Sequence, residues 1–160
     1  MKIVVFSDSH RIKSAMLGVV ETESPETIIH LGDHDKDSEV ILSTYPDIPT
    51  RCVRGNCDYS SSANEIDKFV LAGKKFFITH GHLFSVKTGL SSITRAAVDD
   101  ETDILLFGHT HIPYSAELDN LIIINPGSIG IGQTYAVLDI KNGTVKYELK
   151  TVPNLNKEIF

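Results

Sequence analysis

Five short runs with strand character in this chain each stop at a carboxylate, an amide or an imidazole. Residues 3–6 lead into Ser7-Asp8-Ser9-His10, and residues 27–31 into Gly32-Asp33. Residues 51–53 lead into Arg54-Gly55-Asn56-Cys57-Asp58, and residues 74–79 into His80-Gly81-His82. Residues 103–107 lead into Gly108-His109-Thr110-His111. The first run is apolar and mostly β-branched, the pattern of a strand buried on both faces. Parallel strands present ligand sites beyond their carboxyl ends, so a sheet built from these runs would gather all the polar ends on one rim. On an extended chain, residues two apart share a face, which is expected to bring Asp8 beside His10 and His82 beside His80.

The intervening segments fit such a sheet. Ile12, Met16, Val19 and Val20 recur at helical spacing and predict a helix over residues 13–21, ended by Ser24-Pro25. A short helix is expected from Glu39, with Asp37 and Ser38 as its caps. Strand, helix, strand, helix, strand in this order implies parallel pairing through right-handed crossovers. After residues 59–64 the pattern changes. A hairpin is predicted over 66–71 and 74–79, a helix over 88–99, and paired strands over 114–118 and 121–124. Asn125-Pro126-Gly127-Ser128 reads as a turn, and Lys141-Asn142-Gly143 closes a last hairpin, 135–140 with 144–150. With 160 residues and no repeat or linker, a single domain over 1–160 is expected, its tail 152–160 packing at an edge.

Bulk properties exclude several classes. A net charge of −6 leaves no basic excess to neutralise a nucleic-acid backbone, so strong nucleic-acid binding is not expected. No apolar run approaches the roughly 20 residues of a membrane helix. The apolar start at residues 3–6 ends at once in Ser-Asp-Ser-His rather than continuing as a signal peptide. Two cysteines, Cys52 and Cys57, make no disulfide framework and suit a reducing compartment, so a cytoplasmic location is expected. Homo-oligomerisation is left open.

Five of the seven histidines (His10, His80, His82, His109 and His111) lie at the predicted strand ends. With Asp8, Asp33 and Asn56 they form a mixed nitrogen and oxygen set without thiolate, which suits Mn, Fe, Zn, Ni or Co. Asp8, His10, Asp33, Asn56, His80, His109 and His111 are too many for one ion and fit two divalent ions sharing a carboxylate, an arrangement that activates hydroxide and clamps a phosphoryl group. His30, inside a predicted strand, reads as structural, His34 as a loop residue at the mouth, and Cys52 as a small core residue. The glycines of Ser128-Ile129-Gly130-Ile131-Gly132 precede a strand, so they are no nucleotide fingerprint.

In this order, Asp8-x-His10, Gly32-Asp33, Gly55-Asn56-x-Asp58, His80-Gly81-His82 and Gly108-His109-x-His111 resemble the calcineurin-like metallophosphoesterase superfamily. With Gly-Asn-Cys-Asp and Asn-Pro-Gly-Ser, the chain is similar to its small YfcE-type phosphodiesterases. The resemblance implies an α/β fold: a four-layer αββα sandwich of two mixed sheets, with a dinuclear site at the strand ends. It implies Asp8, His10 and His111 on one ion, Asn56, His80 and His109 on the other, and Asp33 bridging. It implies in-line attack by a metal-bridging hydroxide on a small phosphoester, with Mn the expected metal. Asn56, Cys57, Asp58 and His82 are the candidate catalytic residues. Many relatives carry His where Cys57 stands, and a thiol is a weaker acid for a leaving group than an imidazolium. His82 is the nearest candidate for a phosphate contact. Two alternative readings are a non-catalytic module of the same fold, like the retromer subunit, and a nuclease. The complete ligand set disfavours the first, and the acidic charge disfavours the second.

Overall fold

The computed structural model describes residues 1–153. β1 (Lys2–Phe6), β2 (Thr27–His30) and β3 (Thr50–Cys52) pair in parallel, with Val4 opposite Ile28 and Ile29 opposite Arg51. The crossovers run through α1 (Lys13–Glu23) and α2 (Ser38–Thr44). A hairpin of β9 (Thr134–Lys141) and β10 (Thr144–Thr151) adds to β1 antiparallel, giving the order β10-β9-β1-β2-β3.

The second sheet holds β4 (Ile66–Leu71), β5 (Lys74–Thr79), β6 (Ile104–Leu106), β7 (Pro113–Leu118) and β8 (Leu121–Pro126). Its order is β4-β5-β6-β8-β7, with β5, β6 and β8 parallel and the two edge strands antiparallel. α3 (Ser91–Asp99) covers its outer face.

Alternation along the strands builds the layers. Ile3 and Val5 of β1 face Phe76, Ile78, Ile104 and Leu106 across the space between the sheets. Val4 and Phe6 turn outward onto Met16, Val19 and Val20 of α1. Phe77 and Leu105 turn outward onto Ile93 and Ala97 of α3. The result is the expected four-layer αββα sandwich of two mixed sheets, with the three parallel strands of each sheet ending on one side.

Some local expectations change. The helix expected over 88–99 begins at Ser91, because Thr88 is taken by a turn in which its amide and Oγ1 both donate to the Ser85 carbonyl. Neither Asp37 nor Ser38 caps α2 through its side chain. Asp37 lies in a 3₁₀ turn over Asp35–Asp37, and its Oδ2 accepts from Ser9 Oγ at 2.8 Å and the Arg11 amide at 2.7 Å. Ser38 Oγ donates to the Asp35 carbonyl. His30 is structural: fully buried, it lies 3.2 Å from Ser9 Oγ through Nε2, its Nδ1 accepts from the Gly32 amide, and burial pulls its pKa down to about 4. Cys52 is half-buried rather than enclosed. Val152 packs beside α1 and α2, while the expected edge packing of the tail falls mostly on residues 154–160, which lie outside the described residues. Among the described residues no helix is long and apolar enough to cross a membrane.

Candidate metal centre

The rim carries Asp8 after β1, Asp33 after β2, Asn56 after β3, His80 after β5, and His109 and His111 after β6. Asp8 and His10 do not share a face by lying extended. Both sit at positive φ, 53° and 44°, and so do Asp33, His109 and His111. Left-handed backbone at non-glycine residues is uncommon and costs about 1 kcal/mol or more each, so its concentration here marks a rim held by its surroundings. Close approach of the strand exits contributes. A Cβ on Gly32 would strike the Gly55 backbone, and one on Gly108 would strike Ser7 Oγ, so both positions require glycine.

Two groups of donors form. Ligand atoms of Asp8, His10, Asp33 and His111 lie within 4.8 Å of one another, as do those of Asp33, His80 and His109. Asp33 belongs to both. Asp8 is fully buried, and its Oδ2 accepts from Ser7 Oγ at 2.6 Å and the His109 amide at 3.1 Å. Its Oδ1 makes no hydrogen bond, although His111 Nε2 lies 3.0 Å and His80 Nε2 3.8 Å away. A buried carboxylate oxygen without a donor is costly unless a cation satisfies it.

The histidines support that reading. His80 Nδ1 lies 2.8 Å from the Leu31 carbonyl, which can only accept, so Nδ1 carries a proton and Nε2 is the nitrogen turned inward, where a proton or a cation would sit. That nitrogen is 3.5 Å from Asp33 Oδ2 and 3.2 Å from His109 Nδ1. On the other flank, His10 Nε2 and His111 Nε2 approach to 3.5 Å. Burial and the neighbouring His80 hold His109 down to about 4, with Lys87 adding to the effect, so it stays an unprotonated ligand at neutral pH. Burial disfavours a charged His80, yet the Asp33 and Asp8 carboxylates outweigh it and raise its pKa. Burial also opposes ionisation of Asp33, but hydrogen bonds from His80 and the Cys57 amide hold its carboxyl well below the usual range. Carboxylates and imidazoles facing common centres are a donor set that fits two divalent cations, whose binding would displace any proton on the inward ring nitrogens.

The loop after β3 closes one side. Asn56 is exposed, and its Nδ2 lies 3.5 Å from Cys57 Sγ. The Cys57 amide donates to Asp33 Oδ1 at 2.9 Å, placing Asn56 next to the shared carboxylate. Partial desolvation and the adjacent Asp33 push the Cys57 thiol up to about 11. Asp58 does not point at the centre's donors. Its Oδ1 accepts from the His34 and Asp35 amides at 2.7 and 3.2 Å, and its Oδ2 from the Gly55 amide at 2.8 Å. It ties the exit of β2 to the exit of β3. His82 starts a 3₁₀ turn (His82–Phe84) after Gly81 at φ 107°, so it is not on an extended segment. Its ring still stands 5.5 Å from that of His80 and 6.2 Å from that of His109, with a buried Nδ1 lacking a hydrogen bond. His34 lies at the mouth, its ring 5.3 Å from that of His10.

Three residues escaped the sequence reading. Besides Ser7, Ser128 Oγ donates to the Asp8 carbonyl at 2.8 Å, and Asn125 Nδ2 donates to the Gly108 carbonyl and to Thr110 Oγ1. The last two fix the backbones that present Asp8, His109 and His111. The signal was available, because residues 121–124 form a sixth apolar run that delivers Asn125 and Ser128 to the same rim.

This centre has relatives. Residues 1–143 match the calcineurin-like phosphoesterase superfamily domain. The chain belongs to that superfamily. Over 157 residues it is 29% identical to the Bacillus subtilis protein "Probable metallophosphoesterase YsnB", covering 92% of this chain and 90% of that protein. It is 31% identical to a phosphodiesterase of Methanocaldococcus jannaschii, covering 79% of this chain and 83% of that one. In three dimensions it resembles wild-type Vps29 of Entamoeba histolytica, solved as a complex with zinc, at TM-score 0.75 and 22% identity, covering 96% of this chain and all of that one. At that identity the likeness concerns the fold. The superfamily uses divalent metals, and the chain presents two groups of side chains that could hold a metal ion.

Proposed function

We propose that this superfamily member is a cytoplasmic phosphodiesterase that binds two divalent ions, Mn²⁺ foremost with Ni, Fe, Zn or Co as alternatives, and hydrolyses a small soluble phosphoester. The observation that carries the reading is the pair of donor groups sharing Asp33, with the unpartnered Asp8 Oδ1 buried between imidazoles. Asp8, His10, Asp33 and His111 would hold one ion, and Asp33, His80, His109 and Asn56 the other. Bound ions supply Lewis-acid activation of water and neutralise charge developing on the phosphoryl oxygens.

The chain's own residues do the rest. The Leu31 carbonyl fixes the His80 tautomer, and Ser7 and the His109 amide orient Asp8 so that only Oδ1 faces inward. His82, whose pKa burial and the nearby His80 lower and whose Nε2 lies 3.7 Å from Glu65, stands beside His80 and His109 as the side chain nearest to contact a phosphoryl group. Cys57 stays a protonated thiol at the mouth, too weak an acid to assist a poor leaving group well. Asp58 acts as a positioning residue through three amides. The name of the Methanocaldococcus relative supports diesters over monoesters. The complete donor set supports a hydrolase over a non-catalytic module of the same fold, and the net charge of −6 disfavours a nuclease. The test is a screen of metal-reconstituted protein against mono-, di- and cyclic phosphoesters. Metal-dependent diester hydrolysis lost in Asp33→Ala supports the reading, and inactivity on every diester in a metal-loaded protein overturns it.

A further inference from the structure

A pocket of about 340 Å³ is lined by residues next to the loops that carry His80, His109 and His111, at the small end of the roughly 300–1,000 Å³ that ligand pockets span. No candidate metal ligand lines it, but several of its wall residues adjoin such ligands along the chain. Thr110, part of its wall, stands between His109 and His111, and Phe107 precedes the Gly108-His109 pair. Val86 and Phe107 also line it, and a Cβ on Gly81, next to His80, would touch both. Leu90, Ile112 and Tyr114 complete the walls, with Ile112 67% and Tyr114 40% exposed at the rim.

The chemistry of the walls is one-sided. Of the two wall hydroxyls, that of Thr110, the residue between His109 and His111, already accepts from Asn125 Nδ2 at 3.0 Å and the Ile112 amide at 3.2 Å, and it donates to the Ile112 carbonyl. That leaves it no hydrogen-bonding capacity for a ligand. Among the lining side chains a sugar or other polyol entering here would find only the rim groups of Tyr114 and Lys87 to replace its water. The rings of Phe107 and Tyr114 meet at 58° with centroids 6.5 Å apart, forming an aromatic corner. Lys87, exposed on the rim, makes no ion pair among the described residues. The cleft beside Cys57 differs, being lined by Arg11, His34, Lys36 and Asp35. The two sides of the centre therefore offer a diester unlike surroundings.

We propose that the pocket receives the ester arm that stays on the phosphate while the other arm leaves, and that this retained arm is an aryl or heteroaryl group, with Lys87 flanking the anionic phosphate. This rests on the phosphodiesterase reading.

The experiment uses two diesters with the same 4-nitrophenyl leaving group, one with phenyl and one with methyl as the second arm, and compares metal-loaded wild type with Ile112→Ser and Tyr114→Ser. Both substitutions fall at exposed rim positions, so folding is preserved. Filling an apolar pocket discriminates by about tenfold or more, so the phenyl ester should exceed the methyl ester in kcat/KM by at least that ratio in wild type. The ratio should fall several-fold in each variant. A second readout is amide NMR of the metal-free protein titrated with diphenyl phosphate, which should shift Leu90, Ile112 and Tyr114 where dimethyl phosphate does not. Equal turnover of both esters, or a ratio unmoved in the variants, overturns the aryl pocket and leaves the phosphodiesterase reading standing. No hydrolysis of either ester by protein shown to hold metal overturns that reading and the inference with it.

Discussion

Asp58 gives the sharpest prediction about how the centre is held. Its carboxylate accepts three backbone amides, His34 at 2.7 Å, Asp35 at 3.2 Å and Gly55 at 2.8 Å, and so joins the two loops that carry Asp33 and Asn56. Hydrogen bonds to a charged group contribute about 1.5–3 kcal/mol each when well formed. The longer bond counts for little, and the loop is half-buried, so Asp58→Ala should cost about 2–4 kcal/mol. For a chain of this length each kcal/mol moves Tm by about 2–4 °C, which gives a drop of about 5–15 °C. Asp58→Asn keeps one acceptor and should lose about half as much. The assay is thermal unfolding of metal-free protein followed by circular dichroism, so that altered metal affinity does not enter. An Asp58→Ala variant melting within about 2 °C of wild type would refute the clamp.

Three further outcomes are expected. Asp33→Ala should lose both ions while His10→Ala loses one, because only Asp33 belongs to both donor groups; metal per chain by elemental analysis after desalting checks this. Cys57→Ala should keep metal and most of the rate on an activated aryl diester. Cys57→His should gain on alkyl phosphomonoesters through general acid catalysis, even though Asp58 is engaged with amides and does not orient the new ring; kcat/KM on matched aryl and alkyl esters decides both. Glu23, 7% exposed, accepts from Tyr135 at 2.9 Å and Lys150 at 2.8 Å. Burial pushes its pKa up, but the hydrogen bonds of Lys150, Tyr135 and Lys2 outweigh burial and hold it below its ordinary 4.5. With the folded pKa depressed, the stabilisation is present above about pH 4.5 and is lost as pH falls through the lowered value. Glu23→Gln should therefore destabilise by about 1–3 kcal/mol at pH 7 and by much less near pH 3, measured by denaturant unfolding at both.

Much of the architecture was legible because the strands that build the two-sheet core are short apolar runs, and a strand that ends in Asp or His in a parallel sheet has one side on which to place it. What stayed hidden depends on contacts far apart in sequence. Asp37 looked like a helix cap, which is a local rule, but its partners Ser9 and Arg11 are 28 and 26 residues away. Asp8 and His10 were given an extended geometry, while the rim holds them at positive φ through cross-strand bonds such as Ser128 to the Asp8 carbonyl. Asn125 has a complete explanation as a turn residue, so nothing local revealed that its amide also reaches Gly108 and Thr110. Asp58 sat in a motif with the ligands and shares their loop, yet its carboxylate faces backbone amides rather than the centre.

The central claim is that one chain holds two divalent ions through a shared Asp33 and thereby hydrolyses a phosphodiester. The direct measurement is a titration of metal-free protein with Mn²⁺, following ions bound per chain and diester hydrolysis on the same samples. Saturation is expected at about two ions per chain, with hydrolysis rising to its maximum only as the second is filled, and both signals lost together in Asp33→Ala. Activity that appears in full with one ion bound, or survives in Asp33→Ala, would contradict it.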